Sequence, residues 1–125
     1  MENVLLRGIV VRGKGRGHLH GMPTANLTVE PGTQLPREGV YAARVYLRGE
    51  EYRGLTNVGH RPSDDDMPHV TVETYILDFF GDIYGEALTL ELVHYIRGIR
   101  RFEGGLDELR EQLIRDEEEL RRVLE

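Results

Sequence analysis

Alternation of apolar and polar residues marks most of this chain as strand. VLLRGIVV, residues 4–11, and NLTV, residues 26–29, flank a glycine-rich interval. GVYAARVYL, residues 39–47, puts Tyr41, Ala43, Val45 and Leu47 on one face and is predicted to turn at RGEE into YRGLTNVG as a hairpin. HVTVETYILDF, residues 69–79, sets Val70, Val72 and Ile76 against Thr71, Glu73, Tyr75 and Leu77. After the turn FFGDIYG, EALTLELVHYI alternates again, with Leu88, Leu90, Leu92 and Ile96 inward and Thr89 and Glu91 outward.

The period changes after residue 104. LDELREQLIRDEEELRRVLE carries Leu106, Leu109, Leu113, Leu120 and Leu124 at helical spacing. Asp107 and Glu108 stand in its first turn and Arg121 and Arg122 in its last, as the helix dipole favours. The pattern predicts a mainly β protein of one domain over residues 1–125. Its core is a small antiparallel barrel over about 3–97, with a C-terminal helix over about 105–124 set as a lid on an open barrel end.

Composition narrows the chemistry. The 125 residues contain no cysteine, which excludes disulfides, thiolate zinc sites and cysteine nucleophiles. MENVLLRGIV lacks the basic and apolar regions of a signal peptide, and nothing approaches a membrane span, so a soluble cytoplasmic protein is expected. A net charge of −6 argues against nucleic acid as a partner. The charge is uneven, however. Residues 3–29 hold Arg7, Arg12, Lys14 and Arg16 and no acid, and Arg97, Arg100 and Arg101 form a second basic cluster. Such islands suit a small anionic ligand better than a long polyanion.

The densest candidate chemistry is GKGRGHLHGMPTAN, residues 13–26. Gly13, Gly15, Gly17 and Gly21 permit close backbone approach, and Lys14 and Arg16 lie among them with no acid nearby. A phosphate cradle fits this composition, and so does an ordinary surface connection. No G-x-x-x-x-G-K-[ST] loop occurs. Pro23 biases its predecessor to extended geometry, which puts Thr24 and Asn26 on one face as two neutral oxygens. Those oxygens suit a hard cation such as Mg²⁺ shared with nucleotide phosphates, and equally a capped turn entering a strand. Glu73 is the leading candidate acid or base. A strand glutamate is more often simply solvated, but at a barrel mouth desolvation would lift its pKa towards a useful range. The His18/His20 pair and the Asp64–Asp66 run lack metal-ligand spacing with other residues.

Together these motifs resemble the ATP-dependent riboflavin kinases over nearly the whole chain: GKGRGHLHGMPTANL, GVYAARV, NVGHRPS, VETYILDFFGDIYG and IRGIRRF followed by LDELREQLIRD. The resemblance implies a six-stranded antiparallel Greek-key barrel with a C-terminal helix. It also implies transfer of the ATP γ-phosphate to the riboflavin 5′-hydroxyl, giving FMN and ADP. On it, Thr24 and Asn26 contact Mg²⁺ and the nucleotide phosphates. Gly13, Lys14, Gly15, Arg16, Gly17, Gly21 and Pro23 belong to the nucleotide flap, and Glu73 takes the hydroxyl proton. Arg97, Arg101 and Phe102 lie in a second flap beside the flavin. A monomer is expected. FAD synthesis, which bacterial relatives carry on a preceding adenylyltransferase domain, is not expected of these residues. The chain departs from the family pattern at His20, Met22, Ile99 and Gly104-Gly105. With both flaps altered, the alternative is a flavin- or FMN-sensing module derived from the kinase.

Overall fold

The computed structural model describes residues 3–11, 24–30, 33–61, 69–79, 81–100 and 103–124. Six strands precede one helix: β1 Val4–Val11, β2 Ala25–Val29, β3 Gly39–Leu47, β4 Glu50–Arg61, β5 His69–Ile76, β6 Ala87–Arg97 and α1 Leu106–Val123. The strands close into a barrel in the order β1-β2-β5-β4-β3-β6, every pairing antiparallel. The meander β3-β4-β5 is thus inserted between β2 and β6, as a Greek key requires. The expected β3–β4 hairpin closes through Arg48 and Gly49, whose φ values of 53° and 78° define the left-handed pair of a tight two-residue turn.

Inward side chains fill the barrel. Leu6, Val45, Val58 and Leu90 have no exposed surface and anchor a cluster that runs from β1 to β6. The walls approach closely at Gly8, where a Cβ would lie 1.8 Å from the Thr28 carbonyl oxygen, so only glycine fits there. Within the core, the Thr56 hydroxyl donates to Thr74 Oγ1 at 3.0 Å, and Thr74 donates to the Leu55 carbonyl at 3.3 Å. This pair satisfies two buried hydroxyls and fixes the register of β4 against β5.

Two expectations need correction. Ile96 does not face the barrel interior. The β3–β6 register shifts between Val40 and Tyr41 and again between Ala42 and Ala43. Such irregularities reverse the alternation. Leu88, Leu90 and Leu92 therefore stay inside, whereas Val93 and Ile96 emerge on the outer wall. Nor is α1 a lid on a barrel end. Leu120 and Leu124 pack on Ala42, Leu55 and Leu77 outside the barrel, on the wall that Ile96 has joined. Each needs the other, because the reversed strand face supplies the apolar seat for the helix.

The stripe of α1 differs from its sequence pattern at two positions. Leu106 is half exposed, and Asp116 takes a buried place between Leu113 and Leu120. Asp116 is 1% exposed and accepts from Arg97 Nε at 3.0 Å, Arg97 Nη2 at 2.8 Å and Gln112 Nε2 at 2.9 Å. These bonds join the end of β6 to the middle of α1. At the helix start, where Gly105 offers no side-chain cap, Glu108 Oε2 accepts the Gly104 N–H at 2.7 Å.

Candidate active site

Strand register assembles the site. Val11 pairs with Asn26, Asn26 with Glu73, Glu73 with Asn57, Asn57 with Val40, and Val40 with Arg97. Directly opposed residues of antiparallel strands share a face. The neighbours of these residues, Val10, Leu27, Val72, Val58 and Tyr41, all belong to the barrel core. The row therefore runs round the outer wall, one residue per strand, in steps of roughly 5 Å. Glu73 lies on this outer wall, not at the barrel mouth.

Thr24 completes the centre. It precedes β2, and its hydroxyl donates to Glu73 Oε1 at 3.3 Å. The same residue borders a pocket of about 310 Å³ at the end of the barrel, lined also by Ala25, Ile76, Phe79, Ile83 and Tyr84. Phe79 is held edge-on to Tyr52 with ring centroids 5.3 Å apart. Thr24 thus stands where an apolar pocket meets the polar outer row. A ligand with a flat apolar end and a polar tail could pass from one to the other.

On the far side of Glu73 the row leads to α1. Asn57 comes first, and its side-chain Oδ1 is buried without a hydrogen-bond partner among the described residues. Val40 follows as an apolar floor, and then Arg97, whose guanidinium turns to Asp116. Two residues past Glu73, burial and then the charges of Glu117 and Asp78 push the Tyr75 phenol up, so it stays a neutral hydroxyl. Beyond β6, Arg100 donates to Gln112 Oε1 at 2.6 Å and pairs with Glu108, which fastens the residues after the strand along α1.

Of the residues expected from sequence, Thr24, Asn26 and Glu73 come together, and Arg97 lies three strands along the row from Glu73. Gly13, Lys14, Gly15, Arg16, Gly17, Gly21 and Pro23 lie outside the described residues, as do Arg101 and Phe102, His18 and His20, and Asp64 to Asp66. Among the described residues no group of three His, Cys, Asp or Glu side chains could hold a metal ion. The oxygens of Thr24, Asn26 and Glu73 are the hard donors that Mg²⁺ prefers, and they suit a cation shared with phosphate. Sequence reasoning missed Asn57 and the Phe79–Tyr84 pocket. Alternation outward from Leu55 pointed to the face of Asn57. Only the register placed it opposite Glu73.

The structure is thus a closed six-stranded barrel with one outer helix and with Thr24, Glu73 and Asn26 together on its wall. The sequence model of one family, Flavokinase (riboflavin kinase), matches residues 1–124, and the chain belongs to that family. It is 35% identical to a Bacillus subtilis bifunctional riboflavin kinase/FMN adenylyltransferase over 127 residues, which cover 95% of this chain and 40% of the relative. It is 34% identical over 112 residues to the RNA-binding riboflavin kinase RibR of the same organism, covering 90% of this chain and 47% of that protein. The solved riboflavin kinase of Trypanosoma brucei superposes with a TM-score of 0.72 at 25% identity, covering 99% of this chain and 81% of that one. The chain thus spans less than half the length of the curated relatives it matches. No helix among the described residues is long and apolar enough to cross a membrane.

Proposed function

We propose that the protein phosphorylates riboflavin, moving the γ-phosphate of ATP to the ribityl 5′-hydroxyl to give FMN and ADP. The observation that carries this reading is the placement of Glu73 between Thr24 and Asn26 on one side and the α1-facing wall on the other. The apolar pocket beyond Thr24 takes the nucleotide base. The phosphates then lie over Thr24 and Asn26, and the flavin approaches along Asn57 and Val40 towards α1.

Glu73 accepts the 5′-hydroxyl proton as that oxygen attacks the γ-phosphorus. The bond from the γ-phosphorus to the β–γ bridging oxygen breaks, and ADP departs with its electron pair. Phosphoryl transfer depends chiefly on alignment and charge neutralisation, which rigid strands supply well. Thr24 and Asn26 would hold a divalent cation through the hydroxyl and the amide carbonyl, and that cation when bound neutralises phosphate charge. Thr24 also holds the Glu73 carboxylate in place. Arg97 acts at one remove, by securing α1 through Asp116.

The test is incubation with riboflavin, ATP and Mg²⁺, separating flavins chromatographically, with an EDTA control. FMN appearing only with metal is the expected result. Flavin bound tightly with no FMN and no ADP formed would replace the kinase reading with that of a flavin-binding module.

A further inference from the structure

Asn57 lies in the outer row opposite Glu73, yet the transfer itself gives it no role. Its Oδ1 is buried and has no hydrogen-bond partner among the described residues. A buried acceptor in that state costs about 1–3 kcal/mol, so its retention calls for a physical reason. The described residues of the adjacent wall offer none. Val40, on one side, is apolar, and Glu73, on the other, presents a carboxylate that is itself an acceptor. Two acceptors cannot satisfy each other, so a donor for Asn57 Oδ1 has to come from elsewhere.

The spacing identifies that donor. Asn57 and Glu73 are directly opposed on neighbouring antiparallel strands, with Cβ atoms about 5 Å apart and side chains on the same face. Hydroxyls on adjacent carbons of an extended polyol can each donate to one of two acceptors so placed. One proton goes to Glu73, from the hydroxyl that is phosphorylated. The next hydroxyl along donates to Asn57.

We infer that Asn57 is a specificity residue that recognises, through Oδ1, the hydroxyl next to the one phosphorylated. The site therefore reads its acceptor as a polyol carrying a terminal vicinal diol, and not merely as a primary alcohol. This rests on the kinase reading above. For riboflavin the hydroxyl concerned is the 4′-hydroxyl. Thr56 and Thr74 support the arrangement from behind, since their bond inside the barrel fixes the register that opposes Asn57 to Glu73.

The experiment compares kcat/KM for riboflavin and 4′-deoxyriboflavin in the wild-type chain, in Asn57→Leu and in Asn57→Ala. The wild type is expected to favour riboflavin by roughly tenfold, the worth of one neutral hydrogen bond to a buried acceptor. Both variants should reduce that preference to within about twofold, chiefly by slowing riboflavin. Thermal unfolding reports whether each variant is folded. Asn57→Leu should melt no lower than wild type because it removes an unsatisfied buried group, and Asn57→Ala gives the same readout should leucine not fit. Full discrimination surviving in a folded variant overturns the inference and assigns the Asn57 acceptor to water. Equal losses on both substrates overturn it too, and give Asn57 the task of orienting Glu73. FMN formation by wild type without preference for the 4′-hydroxyl sinks this inference alone. Absence of FMN in the wild-type reaction removes the kinase reading and this inference together.

Discussion

The barrel carries two mid-strand glutamates on opposite walls, in sequence settings that look alike: TVET around Glu73 and TLEL around Glu91. Their surroundings differ. Glu91, on the β1-β6-β3 side, accepts from Asn3 Nδ2 at 3.2 Å, Arg44 Nη1 at 3.0 Å and the Tyr46 hydroxyl at 3.3 Å. Those donors, Arg44 first, hold its carboxyl below the usual range. Glu73 accepts from the Thr24 hydroxyl, faces Asn26 and Asn57 across its two neighbouring strands, and stands one step from a buried acceptor without a partner. A carboxylate ringed by its own protein's donors ties strands together. Among the described residues Glu73 is bonded by a neutral hydroxyl, that of Thr24, which also borders the pocket at the barrel end.

The difference is open to direct attack, and the largest effect is expected at Glu73. Glu73→Gln should keep the fold and lower turnover by about 10²- to 10⁴-fold, the range for one general base. Glu91→Gln, made as its partner, should leave turnover within a factor of two. Similar turnover losses in both, measured by FMN formation, would abolish the distinction between the two walls.

The next effect concerns the ion pair where the row meets α1. Arg97→Leu strands the Asp116 carboxylate in a buried position and should cost about 3–5 kcal/mol of stability by denaturant titration. The double change Arg97→Leu with Asp116→Leu should recover most of that loss, because no charge is left buried. Failure of the double variant to recover would mean that Arg97 matters through something other than α1.

The smallest effect belongs to Glu91 and concerns pH. Its carboxyl is depressed in the folded protein, so its contribution is present above the unfolded carboxyl value of about 4.3 and fades as pH falls through the lower folded value. Comparing wild type with Glu91→Gln between pH 7 and pH 3, the stability difference should be under about 1 kcal/mol at neutrality and shrink towards the acid end. A difference that grew on acidification would reverse the sign assigned to this pair.

Much of the architecture was legible along the chain. Alternation located every strand, the glycine turn located the β3–β4 hairpin, and leucine spacing bounded α1 to within a residue at each end. Where reading failed, a local rule met a long-range one. Ile96 continues an unbroken alternation in sequence, but the irregular pairing of β3 with β6 puts it outside. Asp116 looks like a solvated helix residue until Arg97 arrives from β6, nineteen positions away in sequence. Within the site, alternation set the facing of Thr24, Asn26 and Glu73, and the family resemblance suggested their roles. Asn57 had the same facing and no signal to single it out.

What the sequence by itself determined about this protein is therefore the set of elements, the inward or outward facing of most strand residues, and the residue types able to meet a phosphate or a proton. These depend on periods of two and of 3.6 residues, which are local properties of the backbone. Only the tertiary structure decided which outward residues are neighbours. Asn26, Glu73 and Asn57 become neighbours because β2, β5 and β4 lie side by side in the closed barrel. Glu91 is tied down for the same reason, since closure brings Asn3, just before β1, and Arg44, on β3, to it.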